Sequence, residues 1–132
     1  GDSSTDSEAL YNHKSLLLDK QTNVMVFPIK GEIKAIFDDT KSDSQYVQWN
    51  GFFVYGFDQN KFVKKGSISH YTGNNYNSIY MQARSMYIGD TLYTVMDGSI
   101  KMNNLSNISN EINHINIGST GGLISYLDKP PQ

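Results

Sequence analysis

The chain has 132 residues, 38% of them hydrophobic and 12% aromatic, with a net charge of −2. That length bounds it to one domain or a piece of one, long enough to bury a core. The charge balance argues against a nucleic-acid surface, no run nears the ~18 apolar residues of a membrane span, and the lack of cysteine excludes disulfides and cysteine zinc sites.

Gly1–Asn12 is polar and acidic and is expected to be a solvated leader. Asp2, Ser4, Asp6 and Glu8 alternate in it as in a calcium loop, without the central glycine and distal glutamate of such loops. His13–Asp19 reads as a first strand, turned at Lys20–Thr22. Asn23–Ile29 reads as a second. Pro28 removes a ladder donor, which puts it at a sheet edge or at the end of the strand. Residues 30–48 break the rhythm and read as a long inserted loop, with a hairpin stub at Glu32–Phe37 and a carboxylate group of Asp38, Asp39 and Asp43. Trp49–Asp58 is the third strand, and Gly51 and Gly56 within it predict a bulge or a close approach by another backbone. Phe62–His70 is the fourth, and Tyr71–Asn77 is a loop by composition.

The pattern then repeats. Ser85–Ile88, Thr91–Met96, Ser99–Met102 and Glu111–Ile117 are short apolar or alternating runs, bounded by Gly89-Asp90, Asp97-Gly98 and Asn103-Asn104. Runs of this size between such pairs are strands joined by hairpins, because Gly, Asp and Asn accept positive φ at low cost. Lys14–Leu18 matches Arg84–Ile88, and Asn23–Phe27 matches Thr91–Val95. The offset is about 70 residues at the first strand and about 46 at the last; without the inserted loop it nears the ~40–45 residues of a propeller blade. The expected fold class is all-β, with two consecutive four-stranded antiparallel blades of a β-propeller: residues 13–79, carrying the loop 30–48, and residues 80–117. Residues 118–132 form a tail, with Leu123–Asp128 as a further candidate strand.

Three stretches carry a resemblance. They are Thr5–Lys14 with Leu16–Pro28, then Arg84-Ser85-Met86-Tyr87-Ile88-Gly89-Asp90-Thr91-Leu92-Tyr93-Thr94-Val95, then Ile100–Leu105. In these the chain resembles the C-terminal part of the secreted bacterial and archaeal β-propeller proteins distantly related to WD40 repeats. The resemblance implies a propeller and a secreted or cell-surface location, with any signal peptide upstream of Gly1. It implies no catalytic residues.

The residues point to no reaction. His13, His70 and His114 do not sit at ligand spacing on one element, and His114 reads as a half-buried strand residue. No serine sits in a G-x-S-x-G elbow, and Gly118–Gly122 lacks the lysine of a phosphate loop. Trp49, Phe52, Phe53, Tyr55 and Phe57 form the densest aromatic cluster, whose first expected role is blade packing. Trp49 with Tyr46, beside the long loop, is the candidate stacking platform for a sugar or a peptide. The expected function is a non-catalytic binding or scaffolding module with no cofactor, calcium being the weak exception. Its expected partners are the remaining blades of a parent propeller, copies of itself, or a cell-surface glycan or protein. A fragment of an envelope carbohydrate-active or lyase-type propeller enzyme is the alternative.

Overall fold

The computed structural model describes residues 5–35, 45–73 and 82–117. Two antiparallel sheets of four strands each follow one another along the chain. The first holds β1 (Leu17–Asp19), β2 (Val24–Ala35), β3 (Gln45–Asp58) and β4 (Lys61–Gly73). The second holds β5 (Ala83–Ile88), β6 (Thr91–Met96), β7 (Ser99–Asn104) and β8 (Asn107–Asn116). Within each sheet the strands lie side by side in sequence order, the meander the turn residues predict. Two unclosed four-stranded sheets in this arrangement match a partial β-propeller of two blades.

Turn chemistry sets the hairpins. Asp97 and Gly98 both have positive φ, at 47° and 78°, as a two-residue hairpin twisted to match its strands requires. Gln59 and Asn60, at 46° and 63°, do the same between β3 and β4. The third turn of the second sheet departs from expectation. It falls at Leu105-Ser106, so β8 begins at Asn107 rather than at Glu111. Asn103 is buried and donates from Nδ2 to the Ile108 carbonyl at 2.9 Å, which keeps it in the ladder. Asn104 stands before the turn and accepts from the backbone N–H groups of Ser106 and Asn107.

The first sheet differs more from its sequence pattern. His13–Ser15 is a 3₁₀ helix, capped by the Asn12 side chain on the Lys14 N–H, so β1 keeps only Leu17–Asp19 of the expected strand. The long loop expected at 30–48 is in its described part a continuation of the β2–β3 ladder, from Gly31 opposite Trp49 to Ala35 opposite Gln45. The stub at Glu32 is therefore the arm of the main hairpin, not a second hairpin. Asp38, Asp39 and Asp43 lie outside the described residues, as do residues 118–132 with their candidate strand. Strand β4 runs through Tyr71–Gly73, the start of the expected loop.

Pro28 sits where its missing donor costs nothing. Strand β1 pairs with β2 only from Val24 to Val26. Beyond that, Lys30 exchanges two backbone hydrogen bonds with Asp6 on that same edge, at 2.7 and 2.8 Å. Alternation along β2 gives Pro28 the same outward edge as Lys30, and there its carbonyl accepts from the Ser7 hydroxyl.

Both predicted irregularities of β3 are present. The β3–β4 register shifts between Asn50 and Gly51 and again between Val54 and Tyr55. The pairing leaves His70 and Lys65 as the extra residues on β4. At Gly51 a Cβ would lie 2.1 Å from the Ile68 carbonyl oxygen and 2.8 Å from Cη2 of Trp49. The close approach anticipated there is real, and it is made by backbone.

The core lies between the sheets. Alternation gives each strand one buried side: Val24, Val26, Phe52, Val54 and Ile68 from the first sheet meet Ala83, Leu92, Met96, Leu105 and Ile108 from the second. Phe52, Val26, Val54 and Leu92 are fully buried, and each is worth about 1.5–3 kcal/mol relative to exposure. Strand β5 contacts β2 and β1 at one side and β8 contacts β4 at the other, so the first-strand edges and the last-strand edges of the two sheets lie on the same sides. At Gly66 a Cβ would meet Cγ2 of Ile108 at 3.0 Å, which shows how closely β4 and β8 approach.

Replacing Gly51 with Ala is expected to lower unfolding stability by about 2 kcal/mol or more, because the obstructing atom is a ladder carbonyl. Urea denaturation followed by fluorescence of Trp49 measures it. Unchanged stability would mean that β3 and β4 are farther apart than described.

Candidate functional site

Three polar ties flank the apolar seam, each joining an element of the first sheet or its lead-in to the second. The first runs from the segment before β1. Ser7 caps a 3₁₀ helix at Glu8–Leu10 and is buried with Glu8, where a solvated leader was expected. The Glu8 carboxylate accepts from the Ala83 N–H at 3.0 Å through Oε2, and from Asn12 Nδ2 at 2.6 Å and Arg84 at 3.2 Å through Oε1. It thus satisfies the backbone N–H of Ala83, the first residue of β5. Asp2 and Ser4, the other members of the alternating set read as a calcium loop, lie outside the described residues. Asp6 Oδ1 accepts from the Ser7 N–H.

The second tie is electrostatic and sets Asp19, at the end of β1, against the Tyr87 hydroxyl on β5. The Asp19 carboxylate, with desolvation, raises the Tyr87 hydroxyl above its usual pKa. Asp19 accepts from the Thr22 hydroxyl and from the Gln21 and Thr22 N–H groups, closing the β1–β2 turn. Those bonds, the Thr22 hydroxyl first, hold its carboxyl below the ordinary range.

The third tie is His70, the extra residue of the first β4 bulge. Its Nε2 lies 2.8 Å from the hydroxyl of Thr94 on β6, and its ring packs edge-on to Phe52 at 5.4 Å. Burial, and then the positive charge of Lys101, push its pKa down to about 4, against the opposing pull of Glu111. Close by, Glu111 binds Lys101 at 3.2 Å and His114 at 2.8 Å. Burial pushes the Glu111 carboxyl up, but the bonds from Lys101 and His114 outweigh it and leave the pKa below the usual value. His114, expected to be half-buried, is exposed, with its Nδ1 turned to Glu111. His13 is exposed on the 3₁₀ helix. Among the described residues no group of three or more His, Asp or Glu is placed to hold a metal ion.

The surface richest in recognition chemistry is the other side of the first sheet. Phe27 stacks on Tyr55 with centroids 5.7 Å apart and planes 16° apart, and meets Phe53 edge-on at 6.1 Å. Trp49 tilts against Phe53 at 5.5 Å, and Lys64 Nζ sits 4.3 Å from the centre of the Phe53 ring. All four rings are only half-buried. Two apolar grooves flank them. One, of about 440 Å³, is lined by Leu10, Leu16, Met25, Phe27 and Ile29. The other, of about 220 Å³, is lined by Leu18, Met25, Tyr55, Phe57 and Phe62.

Trp49, one of the two residues singled out from the sequence, belongs to this face, opposite Gly31 on β2 and Thr72 on β4. Tyr46 is on the same strand in the ribbon arm, opposite Lys34. The aromatic cluster divides: Phe52 enters the seam, whereas Phe53 and Tyr55 face outward. Glu8, Asp19 and His70 were not legible as ties, because their partners are far away in sequence.

These features define two stacked blades with a polar-edged, apolar seam and, among the described residues, a half-exposed aromatic face. A family model described as "Beta propeller domain" matches residues 1–108. The chain belongs to that family. No curated protein and no solved structure matches it. No helix among the described residues is long and apolar enough to cross a membrane.

Replacing Glu8 with Ala is expected to cost about 1–3 kcal/mol, because it strands the buried Ala83 N–H. Replacing Arg84 with Ala is expected to cost under about 1 kcal/mol, since its side chain is 48% exposed. Chemical denaturation of both variants checks the order; equal losses would assign the effect to the ion pair instead.

Proposed function

We propose that this chain is a non-catalytic binding and scaffolding section of a secreted or cell-surface β-propeller protein, and that its outward blade faces take further blades of that protein. The observation that carries this reading is the outward aromatic face of the first sheet, together with the exposed Met86 and Ile88 on the second. Apolar surface of this kind is what the inner faces hide in the existing seam. A repeat that stacks on one side offers the same kind of surface on the other. Trp49, at the edge of this face, and the ribbon arm that carries Tyr46 are the proposed contact for a cell-surface glycan or an extended peptide. Aromatic rings present a flat, weakly hydrated surface to the faces of sugars, and the arm is anchored to a rigid sheet.

Light scattering on the 132-residue chain is expected to show self-association, with copies covering the open faces. A monodisperse monomer would contradict the exposed-face reading. A polysaccharide panel is expected to show binding without turnover, weakened about tenfold or more in a Trp49→Ala variant of unchanged stability. Turnover of any member would overturn the non-catalytic assignment, and binding unaffected by the substitution would remove Trp49 from the contact.

A further inference from the structure

We propose that His70 makes the seam between the two blades a proton-sensitive joint, closed while its imidazole is neutral and loosened when it takes a second proton. The argument is one of hydrogen-bond capacity. A neutral imidazole has one donor and one acceptor, whereas an imidazolium has two donors and needs two acceptors. The structure supplies one oxygen, the Thr94 hydroxyl on Nε2. The other nitrogen, Nδ1, is buried and has no hydrogen-bond partner among the described residues. On the β3 side the Phe52 ring, which offers no acceptor, packs edge-on to the imidazole, and Thr94 is itself fully buried.

The charged groups facing His70 from the second sheet are Lys101 on β7 and Glu111 on β8. Lys101 repels an imidazolium, and Glu111, which would attract it, is bound to Lys101 and to His114. A protonated His70 therefore meets an orphaned donor and a nearby cation. Swinging it toward water breaks the bond to Thr94, the tie between β4 and β6. The bulge makes that movement local, because His70 is the residue left out of the β3–β4 pairing.

The sign follows from the two states. Above pH 6.5, the ordinary histidine value, both folded and unfolded chains hold a neutral His70 and the seam keeps its full strength. As pH falls from 6.5 towards about 4, the unfolded chain binds a proton that the closed seam excludes, and stability is lost.

The test is nuclear magnetic resonance and denaturation of the whole chain, wild type beside His70→Gln, whose side-chain amide retains a hydrogen bond to Thr94 and does not titrate. In the wild type the folded-to-unfolded ratio is expected to fall on the order of tenfold to a hundredfold across that window beyond any fall in the variant. Amide exchange at Ser69 and Thr94 is expected to quicken before exchange at Phe53. If the variant does not fold, the wild-type imidazole titration still decides: the proposal requires His70 to resist protonation well below its ordinary pKa. An ordinary midpoint near 6.5, an equal loss in the variant, or quickening that is uniform across both sheets would overturn it.

Discussion

Face-to-face burial of two sheets is the constraint on which the rest of this structure depends. A four-stranded sheet of this size has two faces and cannot hide both by itself. Here one face of each sheet is closed by the other through Val24, Val26, Phe52, Val54 and Ile68 on one side and Leu92, Met96 and Ile108 on the other. The backbone irregularities serve that contact. The second β4 bulge falls beside Gly66, and the missing side chain there admits Ile108. The first falls at Gly51, where β3 and β4 approach too closely for any Cβ, and it sets His70 into the seam.

The polar ties follow the edges of that apolar contact. Glu8 and Asp19 act at the side where β1 meets β5, and His70 acts between β4 and β6. None of them drives the association, since the net value of one hydrogen bond is about 1 kcal/mol. Each satisfies or orients a group that the apolar packing has already brought out of water, and so fixes which sheet meets which. The segment before β1 is therefore part of the two-blade unit: it pairs with β2 through Asp6 and reaches β5 through Glu8.

Much of the fold was legible because hairpins are local. Gly89-Asp90 and Asp97-Gly98 bound β6 at the residues the sequence indicates, and the glycine at 51 announced its bulge. Errors arose where local signals competed. Asn103-Asn104 has the composition of a turn, yet Asn103 is held in its strand by Ile108, and the turn moves two residues on. His13–Asp19 alternates like a strand, yet Asn12 caps a helical turn over its first half. The arm of β2 and β3 read as a loop because its charged residues mask the pairing of Gly31–Ala35 with Gln45–Trp49. Among the candidate residues, Trp49 was singled out by aromatic density and by its place beside the inserted stretch, and it stands on the outward face of the first sheet. The roles of Glu8 and His70 require knowing which strands become neighbours in space, and one sequence does not carry that information.

The central claim is that the two sheets stack as consecutive blades, with β4 against β8. The most direct test is a nuclear Overhauser measurement between the Gly66 α-protons and the Ile108 methyl groups. The stacking account predicts a strong cross-peak, since Ile108 Cγ2 lies 3.0 Å from the position a Gly66 Cβ would take. A spectrum in which the Ile108 methyls contact only protons of the second sheet would contradict it.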